Sequence, residues 1–163
     1  MFQFTESIMI AAPAAATWEV LADVETWWPL SNPEHIRMEI ESAERPIGVG
    51  TTVAFEERVA GIKGRAEGVI TQWIPNERAS WEGTAEYRYL GLPFRVREGV
   101  SWQVENLGEE SRLSARVWAE FPATLFGRIL EWYARSLLKV VDRDRAHARR
   151  ELEYLKGEIE RIG

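Results

Sequence analysis

Residues 126–163 read FGRILEWYARSLLKVVDRDRAHARRELEYLKGEIERIG. Their apolar positions, Phe126, Ile129, Tyr133, Leu137, Val140, Ala148, Leu152, Leu155 and Ile159, recur at spacings of three and four. That period belongs to an α-helix with one buried face. A helix of about 40 residues would run about 60 Å, against a domain diameter of roughly 40 Å for a chain of this size. A straight rod would overhang, so a break is expected between Tyr133 and Lys139. Asp144 interrupts the stripe at a position otherwise apolar. It lies either at the rim of the core or inside a polar cavity, because a lone buried carboxylate would cost several kcal/mol or take up a proton.

Upstream of this helix the period is two. Phe2–Ile10 reads as a strand with Phe2, Phe4, Ile8 and Ile10 on one face. Pro13 suits the first position of a helix, and Thr17, Trp18, Val20, Leu21 and Val24 make that helix amphipathic. Trp27, Trp28, Pro29, Asn32 and Pro33 are expected to end it in a stiff aromatic loop. Ile36, Met38 and Ile40 alternate with charged residues, as in a half-buried strand. Strands follow over Thr52–Val59, Ile62–Ile74, Ala79–Thr84, Gly99–Glu105 and Arg112–Phe121; residues 86–97 resist assignment because Gly91 and Pro93 interrupt them. If Ala60 and Gly61 form a two-residue turn, Val59 faces Ile62, Glu57 faces Gly64, Phe55 faces Ala66 and Val53 faces Gly68. Arg58, Lys63, Glu56 and Arg65 then share the solvated side, with a cross-strand pair between Glu56 and Arg65. Glu57 projects into volume left by glycines, to be filled by the terminal helix or by a cavity; alternatively it reaches the rim and is solvated.

One strand, short helices, a run of antiparallel strands and a long terminal helix describe an α+β fold, a curved sheet wrapped around that helix. This order resembles the helix-grip fold of the START-like (SRPBCC) superfamily, which includes polyketide cyclases/dehydrases and lipid-transfer proteins. The resemblance is carried by Ile10-Ala11-Ala12-Pro13 through Thr17-Trp18-Glu19-Val20-Leu21-Ala22-Asp23, by Val49-Gly50-Thr51, by Gly64 with Glu67, and by Val69 to Ile74-Pro75. The closing Arg150-Glu151-Leu152-Glu153-Tyr154-Leu155-Lys156 resembles the family's last helix. It implies a single domain over 1–163, two short helices after the first strand, and a cavity between the sheet and the terminal helix.

Composition narrows the chemistry. The chain has 163 residues, no cysteine, two histidines and eight tryptophans. Thiolate zinc sites, iron–sulfur clusters and cysteine nucleophiles are excluded. His35 and His147 argue against a histidine-rich centre, and no metal or cofactor is expected. A net charge of −6 disfavours DNA binding. The charge is uneven, and residues 135–150 carry six basic side chains, read as a solvated face or as a stripe for an anionic partner. No apolar run is long enough to span a bilayer, and Glu6 ahead of Met9–Ala16 argues against a signal sequence. A cytoplasmic monomer or homodimer is expected.

No dinucleotide fingerprint, phosphate loop or HExxH motif is present. Asp144 and His147 stand three apart, but His147 is expected to point off the apolar stripe, and the two read as an exposed ion pair. Strand parity turns Trp81 and Trp102 toward the helix, as pocket lining or as plain core, and places Trp73 and Trp118 on the outer face. The candidate ligand-binding residues are Trp28, Phe55, Glu57, Trp81, Trp102, Phe126, Tyr133 and Asp144. Three functions are compatible with this reading: binding or transport of a hydrophobic, lipid- or polyketide-like molecule; a polyketide cyclase/dehydratase with Glu57, Asp144, Tyr133 and Arg97 as acid–base candidates; or an interaction module for a protein or ribosome. The first is favoured, because a pocket follows from the fold whereas no catalytic motif can be placed.

Overall fold

The computed structural model describes residues 1–41, 47–59, 62–89, 92–124, 127–129, 131–132 and 139–162. Seven strands, β1 (Phe2–Ile10), β2 (His35–Glu41), β3 (Thr52–Val59), β4 (Ile62–Ile74), β5 (Arg78–Tyr89), β6 (Leu92–Asn106) and β7 (Ser111–Glu120), form one antiparallel sheet. Their order is β1-β7-β6-β5-β4-β3-β2. Two short helices, α1 (Ala14–Ala22) and α2 (Val24–Leu30), follow β1, and α3 (Val140–Ile162) closes the chain. The sheet curves around α3, the expected helix-grip arrangement.

The terminal helix is shorter than a continuous rod. Its 23 residues span about 35 Å, within the roughly 40 Å diameter of a domain of this size. Lys139 has φ +49°, a left-handed conformation that interrupts any helix running into Val140. Ala148, Leu152, Leu155 and Ile159 are buried and seat α3 against β1 and β7. Ile129 departs from the expected stripe. It is 57% exposed, because it precedes the break and no longer shares the face of α3; Tyr133 and Leu137 lie outside the described residues. Part of the basic stretch is taken up internally: Arg149 Nη2 lies 2.8 Å from Glu6 of β1, and Arg145 sits over the Phe4 ring.

Trp27 and Trp28 lie on α2 rather than in a loop, despite Pro29 within that helix. Tertiary burial outweighs the local signal here: both indoles are buried, and Trp27 Nε1–H donates to the Leu21 carbonyl at 2.9 Å. The β3–β4 register is the one expected from a two-residue turn, with Glu57 opposite Gly64 and Val53 opposite Gly68. On the outer side, however, Glu56 is met by Lys63 at 2.8 Å, and Arg65 turns to Glu39 at 3.8 Å. The space above Gly64 is filled by neither helix nor cavity. A Cβ there would come within 2.4 Å of the Tyr87 ring, which crosses over from β5.

Two bulges set faces that simple alternation misassigns. In β4 the register shifts between Ile70 and Gln72. One extra residue inverts parity beyond it, so Trp73 pairs with buried Ala79 and packs edge-on against Trp18 at 5.4 Å, instead of joining Trp118 outside. In β2 the shift falls between His35 and Arg37. Ile36 is consequently 48% exposed, and His35 comes to face Glu57. Strand β5 continues to Tyr89 and β6 begins at Leu92; Pro93 is accommodated near the start of β6, opposite Arg88.

Leu152 is 1% exposed, so Leu152→Ala is expected to cost about 2–5 kcal/mol. Denaturant unfolding measures this, and a loss below roughly 0.5 kcal/mol would place the stripe at the surface, since exposed sites rarely change more than that.

Candidate functional site

Between the sheet and α3 lies a cavity of about 130 Å³. Its apolar wall is largely aromatic, made by Phe2, Trp28, Phe55, Trp81, Phe94 and Phe121 with Val96 and Val117. Trp28 anchors this wall, with ring centroids 5.3 Å from Phe55 and 6.1 Å from Trp81. Ionisable groups share the lining: Glu57 from β3, Glu98 from β6, His35 from β2, and Asp144, His147 and Glu151 from α3.

Of the residues singled out in the sequence, Trp28, Phe55, Glu57, Trp81 and Asp144 line this cavity. Trp102 does not; it packs edge-on against Trp27 and Trp28, at 5.5 and 4.9 Å, and belongs to the core. Phe126 and Tyr133 lie outside the described residues. Arg97 sits on the outer face, bonded to Glu120 at 3.2 Å with its guanidinium over Trp118. His147 is the main correction. It points inward and belongs to a buried cluster, not to an exposed pair with Asp144.

The cluster joins helix to sheet. His35 Nε2 and His147 Nε2 stand 3.1 Å apart, and Glu151 Oε1 lies 3.3 Å from each. His35 Nδ1 lies 2.7 Å from the Trp28 carbonyl; a carbonyl only accepts, so this nitrogen carries a proton. His147 Nδ1 donates to Glu34 Oε2 at 3.0 Å. Glu57 Oε2 is 4.0 Å from His35 Nε2, and Tyr87 donates its hydroxyl to Glu98 at 3.2 Å.

Sequence reading missed His35, Glu34, Tyr87, Glu98, His147 and Glu151. The signals were present for some. Glu98 shares parity with Val96 and Val100, and Asp144, His147 and Glu151 recur at helical spacing. His35 was hidden by the β2 bulge.

Burial dominates the electrostatics. It pushes Asp144 up to about 7, aided by the charge of Glu57. It also raises Glu57, with the two histidines opposing, and lifts Glu98 well above the carboxylate range, reinforced by Glu57 and Asp144. For His147 burial opposes the charge, but hydrogen bonding and attraction from Glu151, with Glu57 and Glu34 adding, raise it to about 10. Glu151 is likewise opposed by burial, yet hydrogen bonds from His147 and His35 hold it at about 2. The polar groups are thus an imidazolium–carboxylate pair flanked by three carboxyls, Glu57, Glu98 and Asp144, each raised above its ordinary value. Such groups can orient a polar ligand atom or exchange protons with it.

The family model for polyketide cyclase / dehydrase and lipid transport matches residues 1–159. The chain belongs to that family. Among curated proteins, none matches it in sequence. Among solved structures, a Thermus thermophilus protein superposes with a TM-score of 0.71 at 18% identity, covering 99% of both chains. A START superfamily protein from Mycobacterium smegmatis gives 0.62 at 15% identity, again over 99% of each. The Zhui aromatase/cyclase from a Streptomyces species gives 0.62 at 21% identity, over 98% of this chain and 94% of that one. At these identities the likeness is one of fold.

The Asp144 carboxyl is expected to titrate near pH 7, followed by carboxyl carbon NMR. Its folded pKa is raised, so the stability tied to its proton is lost as pH rises from 3.8 to about 7. Asp144→Asn should flatten that loss. An inflection below about 4.5 would place the side chain in bulk solvent.

Proposed function

We propose that this protein binds a hydrophobic small molecule bearing a polar, hydrogen-bonding end, held between the sheet and α3. The observation carrying this reading is the mixed lining of one cavity, aromatic side chains beside a cluster of ionisable groups. Pockets of this make-up bind through apolar burial and take their orientation from few polar contacts. Membership of a family that spans cyclases and lipid carriers supports it. The volume sets a scale. An apolar cavity of roughly 150 Å³ accommodates a benzene ring, so about one ring fits the present shape and a larger ligand requires α3 or β2 to move outward. No helix among the described residues is long and apolar enough to cross a membrane, and we take the ligand to be met in the cytoplasm.

Titration with phenol and 2-naphthol tests this reading. Saturable change in tryptophan emission is expected through Trp28 and Trp81, and a hundredfold excess over Kd should add about 2.7 kcal/mol of stability. Phe55→Trp, which reduces the space, should weaken 2-naphthol more than phenol. The absence of saturable change with either compound, together with no apolar compound in an organic extract of the purified protein, would contradict it.

A second reading, a cyclase/dehydratase, is favoured by one observation. Asp144, held near 7 at the cavity wall, is poised as a general acid or base at neutral pH. Conversion of a poly-β-keto thioester should then fall about 10²–10⁴-fold in Asp144→Asn. Binding of product without any conversion would leave the carrier reading alone.

A further inference from the structure

The atoms His35 Nε2, His147 Nε2 and Glu151 Oε1 form a nearly equilateral triangle with edges of 3.1, 3.3 and 3.3 Å. We propose that this triangle is a divalent-metal site, matched to Zn²⁺, with its fourth position open toward the cavity. The proposal reverses the sequence expectation of no metal and does not depend on which organic ligand the cavity takes.

Three independent features carry it. First, the spacing fits. Zinc bonds nitrogen and carboxylate oxygen at about 2.0–2.2 Å, so the edge of its ligand tetrahedron is roughly 3.3 Å. Two histidines and one carboxylate form a donor set of the catalytic type, which leaves one position for water or ligand. Second, both rings are oriented as metal-bound histidines are. Each Nδ1–H is held by an acceptor, the Trp28 carbonyl for His35 and the Glu34 carboxylate for His147. This turns each Nε2 toward the common point and raises its basicity, the carboxylate–histidine–metal relay. Third, the donors over-supply electron pairs. A proton on His147 Nε2 serves Glu151 and His35 in part, but it leaves His35 Nε2 and the Glu151 oxygen facing each other at 3.3 Å. A divalent cation satisfies all three atoms at once.

The charge balance also fits. Glu57 stands 4.0 Å from His35 Nε2, on the cavity side, where it can accept a hydrogen bond from water on the fourth position. With Glu151 and Glu34 it gives the surroundings acidic groups beyond the two neutral imidazoles that zinc binding requires. The donors come from β2 and α3, so the ion would clamp the helix to the sheet edge.

Calorimetric titration of the EDTA-treated, full-length protein with Zn²⁺ at pH 7 tests the site, with Co²⁺ absorption as a second readout. The expected result is one saturable ion per chain, proton release on binding, and the intense visible bands of tetrahedral Co²⁺. His147→Gln and Glu151→Gln should abolish the high-affinity isotherm, and Glu34→Gln should weaken it about 10–100-fold, since it lets His147 turn without removing a donor. Glu34 is partly exposed, so that variant keeps the test valid if the buried substitutions fail to fold. Absence of 1:1 binding in the wild type would overturn the proposal, as would unchanged affinity in Glu34→Gln or in folded His147→Gln; either result would leave the triangle a proton-bridged ion pair.

Discussion

The seating of α3 on the sheet is the constraint on which the rest depends. Ala148, Leu152, Leu155 and Ile159 bury one stripe, and the helical period then fixes where Asp144, His147 and Glu151 must point. They face Glu57 and His35 across the cavity, largely out of contact with solvent. Charges brought into such a space must be paired or protonated, because removing one partner of a buried pair costs several kcal/mol. The structure meets that demand twice over. His147 and Glu151 form an ion pair on one turn of helix, and His35 and Glu34 tie that pair to the opposite wall. The polar cluster is therefore a consequence of how the apolar stripe docks, and it holds the helix in register at the same time.

The cavity therefore carries two kinds of lining. The aromatic wall offers area without direction, and its rings are fixed by contacts among Trp28, Phe55 and Trp81, with Trp102 packed edge-on behind Trp28. The polar groups offer direction without much area. Glu57, Asp144 and Glu98 hold protons more tightly than exposed carboxyls, and Asp144, at about 7, can donate as well as accept a hydrogen bond near neutral pH. A carrier would use such groups to orient a carbonyl or hydroxyl; a cyclase would use them to move a proton. The same residues serve either role, which is why membership of a family covering both activities leaves the choice to experiment.

Much of the fold was legible because its signals are periodic. The stripe from Ala148 to Ile159 announces α3, and the short Ala60-Gly61 spacing between two alternating runs predicts the observed β3–β4 register down to Glu57 opposite Gly64. Trp28, Phe55, Glu57, Trp81 and Asp144 could accordingly be placed near one another from sequence. What escaped notice depends on single-residue irregularities. The bulge after His35 swaps Ile36 to solvent and His35 to the cavity, and the one near Thr71 turns Trp73 inward. A bulge leaves no compositional mark in an alternating strand, so parity arguments fail just beyond it. Glu98 and His147 were missed for a different reason. Polar residues on a buried face look like surface residues until a partner is in view, and their partners come from elements distant in sequence.

The central claim is that a histidine pair, held on both outer nitrogens, joins α3 to the sheet beneath the cavity. Nitrogen-15 NMR of the histidine rings in metal-free protein tests this most directly. Protons on Nδ1 of both rings and a His147 ring that stays charged through pH 8 are predicted, in keeping with a value of about 10. A His147 ring that loses its charge near 6.5, the value of an ordinary exposed histidine, with its remaining proton on Nε2, would contradict the account.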